Sequence, residues 1–148
     1  HEEMVVSHDA NEIRSTPVPA AANIRLLADG CDVVGIDEAQ FFSDEIVEVV
    51  KKIADSGRRV IVAGLDTDWR GLPFGPMPQL LATADLIRKQ YAICMSCGSS
   101  ATRTQRLVRD NSDVLIGSFD VYEARCRQHF DPELATKFDR LDSIGERG

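Results

Sequence analysis

The sequence has no long apolar run and no excess of positive charge. None of its apolar stretches approaches the ~20 residues that a helix needs to cross a bilayer, so we expect no membrane partner. Its 17 Lys and Arg residues are outnumbered by 24 Asp and Glu residues, which gives a net charge of −7. That balance provides no general attraction to nucleic acid and favours a small molecule as the partner.

Cysteine is also scarce, and no apolar, signal-like segment stands at the start of the sequence. Because disulfide-dense folds are typical of secreted proteins, we expect a reducing, cytoplasmic location. The 148 residues, 43% of them hydrophobic, are enough for one ordinary core with a small appendage. Cys31 precedes a predicted strand and is interpreted as a core thiol.

The other three cysteines and one histidine form two close pairs. Cys94 and Cys97 are separated by two residues, and so are Cys126 and His129. A structural zinc ion needs four tetrahedral nitrogen or sulfur ligands, and each pair can present two of them from one turn. The spacing therefore predicts a structural zinc site with no open position for substrate. The alternative, disulfides or buried free thiols, would leave His129 without a purpose.

Hydrophobic patterning predicts a strand–helix–strand unit. A buried strand at 32–36 is followed by a helix at 44–56 with Ser43 as its N-cap, and by a second apolar strand at 59–65. Short connections of this kind are typical of a right-handed βαβ unit in a parallel sheet. The further predicted elements are a helix at 21–29, an irregular exposed loop at 66–78, a helix at 79–89 and a strand at 90–93.

The segment between the two metal-ligand pairs is predicted to be a zinc ribbon. A polar stretch at 98–113 leads to a short apolar run at 114–116, which we interpret as a hairpin arm. Arg103 and Arg106 lie in the polar stretch and are interpreted as solvated charges. Residues 132–148 are charged and weakly patterned, so a solvated tail is expected there.

Asp37 and Glu38 follow the first strand of the predicted βαβ unit. A hydrophobic strand ending in Asp-Glu is the Walker-B pattern of P-loop nucleotide enzymes, in which the Asp holds Mg²⁺. The adjacent Glu can accept a proton from water or from a substrate hydroxyl. The structural alternative is a simple loop start or helix N-cap.

The companion of the Walker-B pattern is missing from the sequence. No G-x4-G-K-[ST] loop, whose backbone N–H groups would cradle phosphates, occurs in the 148 residues. The first residue is His1 rather than Met, and we expect the chain to be a fragment that lacks this N-terminal segment. If the loop were truly missing from the protein, a catalytically inactive zinc-stabilised scaffold would be the alternative.

Several further motifs occur in a fixed order over residues 4–130. They are residues 35–42 (Gly-Ile-Asp-Glu-Ala-Gln-Phe-Phe), 64–66 (Gly-Leu-Asp), 73–75 (Pro-Phe-Gly), 104–107 (Thr-Gln-Arg-Leu), 115–117 (Leu-Ile-Gly), Tyr122 and the two metal-ligand pairs. This combination resembles the type II, zinc-containing thymidine kinases. The resemblance implies an α/β fold: a RecA-like P-loop parallel sheet with helices on both faces, at residues 1–90. It further implies a zinc-ribbon lasso domain at 91–131, a tail at 132–148 and assembly as a homotetramer.

The resemblance also implies roles for individual residues. Glu38 matches the general base that takes the proton from the 5′-hydroxyl of thymidine, and Asp37 matches the ligand of the Mg²⁺ that accompanies ATP. The implied substrate-binding residues are Phe41, Leu65, Trp69, Phe74, Thr104, Leu115, Ile116, Gly117 and Tyr122. A Phe is common in the family where Trp69 stands, and ordinary packing under a loop is the alternative for Trp69 and Phe74.

The expected activity is transfer of the ATP γ-phosphate to thymidine, which gives dTMP for salvage, with dTTP as a feedback inhibitor. The alternative is a RecA-like nucleic-acid motor fragment with a zinc ribbon, because residues 37–40 also resemble the acidic motif of helicases. The acidic composition and the lack of a basic stripe count against nucleic acid as a partner. Gln40 is left with two interpretations, a residue that orients sugar or phosphate and a helix-entry residue.

Overall fold

The computed structural model describes residues 3–6, 12–108 and 121–134, with side chains from Ser15 onward. Contacts divide the chain into two units, residues 1–64 with 75–83 and residues 65–74 with 84–148. The elements in chain order are β1 (Glu3–Val6), β2 (Glu12–Ser15), α1 (Ala21–Leu27), β3 (Val33–Ile36), a 3-10 turn (Ala39–Phe41), α2 (Glu45–Asp55), β4 (Arg59–Val62), α3 (Met77–Thr83), β5 (Ala92–Ile93), β6 (Ser100–Ala101), β7 (Arg103–Arg106) and β8 (Tyr122–Arg125).

The first unit contains the predicted βαβ arrangement. Strands β3 and β4 pair in parallel, from Val33 opposite Arg59 to Ile36 opposite Val62, and α2 connects them. Helix α2 forms because apolar residues recur at helical spacing, which buries Ile46 and Ile53 on one face. The prediction of a parallel α/β unit is therefore confirmed, and β1 and β2 form a separate antiparallel pair.

The two parallel strands are buried on one face only. Val34, Val60 and Val62 pack against the core that α1, α2 and α3 build, together with the buried Ile36. On the opposite face Val33 is 54% exposed and Ile61 is 52% exposed. The prediction of a buried strand at 32–36 holds for one face of β3 and was wrong for the other. Side chains alternate across a strand, and the helices cover only the face that carries Val34 and Ile36.

Helix boundaries differ from the predictions in all three helices. Helix α1 ends at Leu27 rather than at residue 29, and α3 begins at Met77 rather than at residue 79. Asp44, rather than Ser43, is the N-cap of α2, and its side chain makes no capping hydrogen bond. Helix α3 ends at Thr83, whereas the pattern predicted a helix to residue 89. Leu86 and Ile87, which would have continued its apolar stripe, are exposed. A short helix gains most of its stability from packing, so it ends where its apolar face has no neighbour.

The second unit contains short antiparallel pairs. Strand β5 pairs with β6, and β7 pairs with β8, with Arg103 opposite Arg125 and Arg106 opposite Tyr122. The polar stretch at 98–113 therefore contains strands, which its composition had not indicated. Polar residues are tolerated in these strands because pairing with a neighbouring strand outweighs their low strand propensity. The predicted arm at 114–116, the predicted substrate-binding residues Leu115, Ile116 and Gly117, and the tail beyond residue 134 lie outside the described residues.

No helix within the described ranges is long and apolar enough to cross a membrane. The longest of them, α2, has 11 residues.

Candidate functional site

The acidic pair lies in the first unit, directly after β3, and both carboxylates are exposed. The N–H of Glu38 donates a hydrogen bond to Asp37 Oδ1 at 2.9 Å. Glu38 has a φ of 52° and a ψ of 39°, and it is the one non-glycine residue in the described part with a positive φ. The left-handed conformation costs about 1–2 kcal/mol for a residue with a Cβ atom. Such strain is found most often at functional sites.

Backbone hydrogen bonds of Ala63, the residue after β4, hold the acidic corner formed by Asp37 and Glu38 in place. The N–H of Ala39 donates to the carbonyl of Ala63 at 3.0 Å, and the N–H of Ala63 donates to the carbonyl of Ile36 at 2.8 Å. The 3-10 turn that follows Glu38 is therefore fixed to the carboxyl end of the neighbouring strand. Functional residues of parallel sheets gather at this end.

Gln40 is buried in the same corner, with only 3% of its surface exposed. Its Nε2 donates a hydrogen bond to Glu38 Oε2. Gly64 and Gly75 lie against it: a Cβ on Gly64 would lie 2.8 Å from Gln40 Oε1, and one on Gly75 would lie 2.3 Å from the Gln40 carbonyl oxygen. Of the two interpretations from the sequence, neither anticipated a direct bond to Glu38.

Gly75→Ala is expected to destabilise the protein by about 2–3 kcal/mol. The new Cβ would collide with backbone at Gln40, and the residue would keep its φ of +49°. Gly57→Ala is the matched control, because Gly57 has a φ of +88° but nothing within 4 Å of a built Cβ. It should lose only about 1 kcal/mol from conformational strain. Urea unfolding measures both losses, and equal losses would contradict the close contact between Gly75 and Gln40.

An aromatic and cationic cluster lies in the second unit. The guanidinium of Arg106 is 4.8 Å from the ring centroid of Trp69 and 6.0 Å from that of Tyr122. Arg106 is fully buried, so its interpretation as a solvated charge was wrong. Aromatic faces attract a guanidinium and can replace part of its hydration. Two residues predicted to bind the nucleoside, Trp69 and Tyr122, thus share one buried cation that the sequence did not identify.

The loop that carries Trp69 is tightly ordered. The carboxylate of the buried Asp68 accepts hydrogen bonds from the N–H groups of Arg70 and Leu72, at 2.9 and 3.0 Å, and forms an ion pair with the Arg70 side chain. Thr67 and Pro73 close the loop as an antiparallel bridge. The prediction of a loop without regular structure is confirmed up to Met77, whereas the prediction that the loop is exposed is wrong at the buried Asp68, which holds a turn. Asp followed by Gly three residues later, as in Asp68 and Gly71, was the turn signal that could have revealed it.

The remaining predicted substrate-binding residues are distributed over both units. Phe41 belongs to the first unit and is exposed, and Leu65, also exposed, belongs to the second. Phe74 and Thr104 are half-buried in the second unit. Thr104 lies in β7, two residues before Arg106, and therefore on the same face of that strand.

The four predicted metal ligands come together in the second unit. The ligand atoms of Cys94, Cys97, Cys126 and His129 all lie within 4.8 Å of one another. The sulfur atoms of Cys97 and Cys126 are 3.8 Å apart, and Cys126 Sγ is 3.2 Å from His129 Nδ1. Two Zn–S bonds of ~2.3 Å at a tetrahedral angle place their sulfurs about 3.8 Å apart. The donor set and this spacing fit zinc, with Nδ1 as the ligand atom of His129.

The surroundings of Cys94 favour the thiolate, the form that binds metal. Burial raises the pKa of this thiol. Hydrogen bonds from the backbone of Cys126, Ser96 and Cys97 outweigh that effect and lower the pKa to about 6. Burial raises the pKa of Cys126, in spite of a hydrogen bond from the backbone of His129.

The alternative of paired cysteines is not realised. All four cysteines lie in the described part of the chain, and all four are free. Cys31 is exposed, with its thiol directed at the Leu27 carbonyl 3.8 Å away, so its interpretation as a core thiol was wrong. It lies in the turn between α1 and β3, before the strand enters the core.

Comparison with known proteins identifies the family. The family model described as thymidine kinase matches residues 1–130. A thymidine kinase of Bdellovibrio bacteriovorus is 53% identical over 135 residues, 90% of this chain and 66% of the relative. Thymidine kinases of a Rhodothermus species and of Bacteroides thetaiotaomicron are each 51% identical, over 93% and 86% of this chain and 64% of each relative.

The chain thus spans just under two thirds of the length of these relatives. The family model covers well over half of the chain. The matched residues include the acidic pair and all four predicted metal ligands. The chain belongs to the thymidine kinase family.

Proposed function

We propose that this chain is the part of a thymidine kinase that carries the general base, much of the nucleoside pocket and a structural zinc site. The reaction would move the γ-phosphate of ATP to the 5′-hydroxyl of thymidine and give dTMP. The observation that carries the proposal is the acidic pair at the end of β3, in a chain about half identical to several thymidine kinases.

Glu38 is proposed as the general base. Its carboxylate is exposed at the end of a strand, where a substrate hydroxyl can approach it. The hydroxyl becomes acidic only as it attacks phosphorus, so a weak base suffices. Positioning and charge neutralisation would supply most of the rate.

Asp37 is proposed to hold Mg²⁺, because an exposed carboxylate is the kind of oxygen ligand that this ion prefers. When bound with ATP, the ion would neutralise phosphate charge.

The residues proposed to bind the nucleoside are Phe41, Leu65, Trp69, Phe74, Thr104 and Tyr122, together with the segment 115–117. Flat apolar side chains suit a pyrimidine because stacking and burial give affinity. Arg106 would fix the directions of the Trp69 and Tyr122 rings through its contacts with both.

The larger setting is also a proposal. Zinc held by Cys94, Cys97, Cys126 and His129 would cross-link the zinc-ribbon lasso domain at 91–131. The nucleotide-binding domain at 1–90 would be part of a RecA-like sheet, followed by a tail at 132–148. We further propose a cytoplasmic homotetramer that dTTP inhibits.

The test is phosphorylation of thymidine by the full-length product of the gene that encodes this chain, with ATP and Mg²⁺. Deoxycytidine and deoxyadenosine serve as parallel acceptors. We expect dTMP as the dominant product. A folded, zinc-loaded sample that phosphorylates none of the three would contradict the proposal. Salt-dependent binding of single-stranded DNA by that sample would instead support the nucleic-acid motor, which the relatives do not favour.

A further inference from the structure

Gln40 connects the acidic corner to the core of the first unit. It lies two residues after Glu38, in the 3-10 turn Ala39–Phe41, and is almost fully buried, whereas Glu38 is exposed. Its amide nitrogen donates a hydrogen bond to Glu38 Oε2. We propose that Gln40 is a positioning residue that holds the Glu38 carboxylate in the orientation needed to accept the proton of the nucleoside hydroxyl. This inference rests on the proposed kinase function.

The surroundings of Gln40 limit its freedom to move. At the side-chain end, a Cβ on Gly64 would lie 2.8 Å from Oε1 and 2.9 Å from the sulfur of Met77. At the backbone end, a Cβ on Gly75 would lie 2.3 Å from the Gln40 carbonyl oxygen. Because glycine has no Cβ, the backbone at both positions approaches Gln40 more closely than it could with any other residue there. An amide packed in this way presents its donor in a fixed direction.

The chemistry of the bond suits a base. An exposed glutamate has several rotatable bonds, so without a partner its carboxylate would sample many directions. The donor from Gln40 engages Oε2 and leaves Oε1 as the oxygen that would receive the proton. An amide donor adds no formal charge, whereas Lys or Arg at this place would form an ion pair that competes with the substrate proton.

Gln40→Met in the full-length protein tests the proposal, because Met has nearly the same length and no donor. We expect kcat for thymidine to fall about tenfold or more, with KM within about twofold of the wild-type value. The matched control is Gln79→Met, which replaces an exposed glutamine of α3 and should leave kcat unchanged. Thermal unfolding and thymidine binding by calorimetry establish that each variant is folded.

A double-mutant cycle separates positioning from a purely structural role. If Gln40 acts through the carboxylate, Gln40→Met should change kcat by less than about twofold in a Glu38→Gln background. The same proportional loss in both backgrounds would overturn the proposal, and so would wild-type kcat in the single variant.

Gly64→Ala provides a second route if Gln40→Met fails to fold. It keeps the Gln40 amide but pushes Oε1 away, so kcat should fall by several-fold in the wild-type background and by less than about twofold beside Glu38→Gln. Unchanged kcat in Gly64→Ala would also count against the proposal. If the wild-type protein has no thymidine kinase activity, the proposed function itself fails. Wild-type activity with an unaffected Gln40→Met variant overturns the positioning role alone.

Discussion

Glu38→Gln is expected to lower the turnover of thymidine by about 100-fold or more and to leave nucleoside affinity nearly unchanged. General-base catalysis typically contributes 10²–10⁴-fold to a rate, and the substitution removes the proton acceptor while it keeps the size of the side chain. Gln has the same backbone cost as Glu in the left-handed conformation that residue 38 adopts. The Gln40 amide can still donate to the oxygen of the new side chain, so the local structure should persist.

Steady-state kinetics give the turnover, and calorimetric titration with thymidine gives the affinity. Glu45→Gln is the matched control, because Glu45 is an exposed glutamate in the first turn of α2, away from the acidic pair in sequence. It should retain wild-type turnover. Unchanged turnover in Glu38→Gln would remove Glu38 from the role of base, and equal losses in both variants would point to a general effect of charge.

The elements with local signals were predictable from the sequence. Strands β3 and β4 and helix α2 follow from apolar periodicity, and the parallel pairing follows from a helix between two short strands. The two metal-ligand pairs could be recognised because two ligands separated by two residues are a spacing typical of structural zinc sites. In each of these cases neighbouring residues in the sequence carry the whole signal.

The features that depend on distant residues could not be predicted. Arg106 is buried because Trp69 and Tyr122 meet it from other segments, and nothing in the sequence around residue 106 indicates this. Strand β7 exists because β8, which lies further along the chain, pairs with it. Tertiary pairing overrides the low strand propensity of polar residues.

The geometry of the acidic corner could not be predicted either, because it also depends on residues that are distant in the sequence. The positive φ of Glu38 and the burial of Gln40 both depend on the strand end at Ala63 and on Gly75. The sequence indicated which residue could accept a proton. It did not indicate which residue would orient that acceptor, because glutamine at a helix entry is common for other reasons.

Cys97→Ser is expected to abolish stoichiometric zinc binding and to unfold the β5–β8 strands. These strands have only two to four residues each and pair two at a time, so their ladders alone provide little stability. Zinc binding in small zinc-finger peptides contributes ~10–16 kcal/mol, which is of the same order as a typical domain's whole free energy of unfolding, ~5–15 kcal/mol. The loss of one thiolate leaves three ligands and removes most of this contribution.

The readouts are zinc content by atomic emission and hydrogen exchange at the backbone amides of β7 and β8, neither of which depends on enzyme activity. Cys31→Ser is the matched control, because Cys31 is exposed and is not a member of the four-residue cluster. It should keep one zinc per chain and full protection. Removal of zinc from the wild-type protein with a chelator should reproduce the exchange pattern of Cys97→Ser. If protection in β7 and β8 survives both treatments, the buried packing around Arg106 and Gln105, rather than the metal, stabilises this unit.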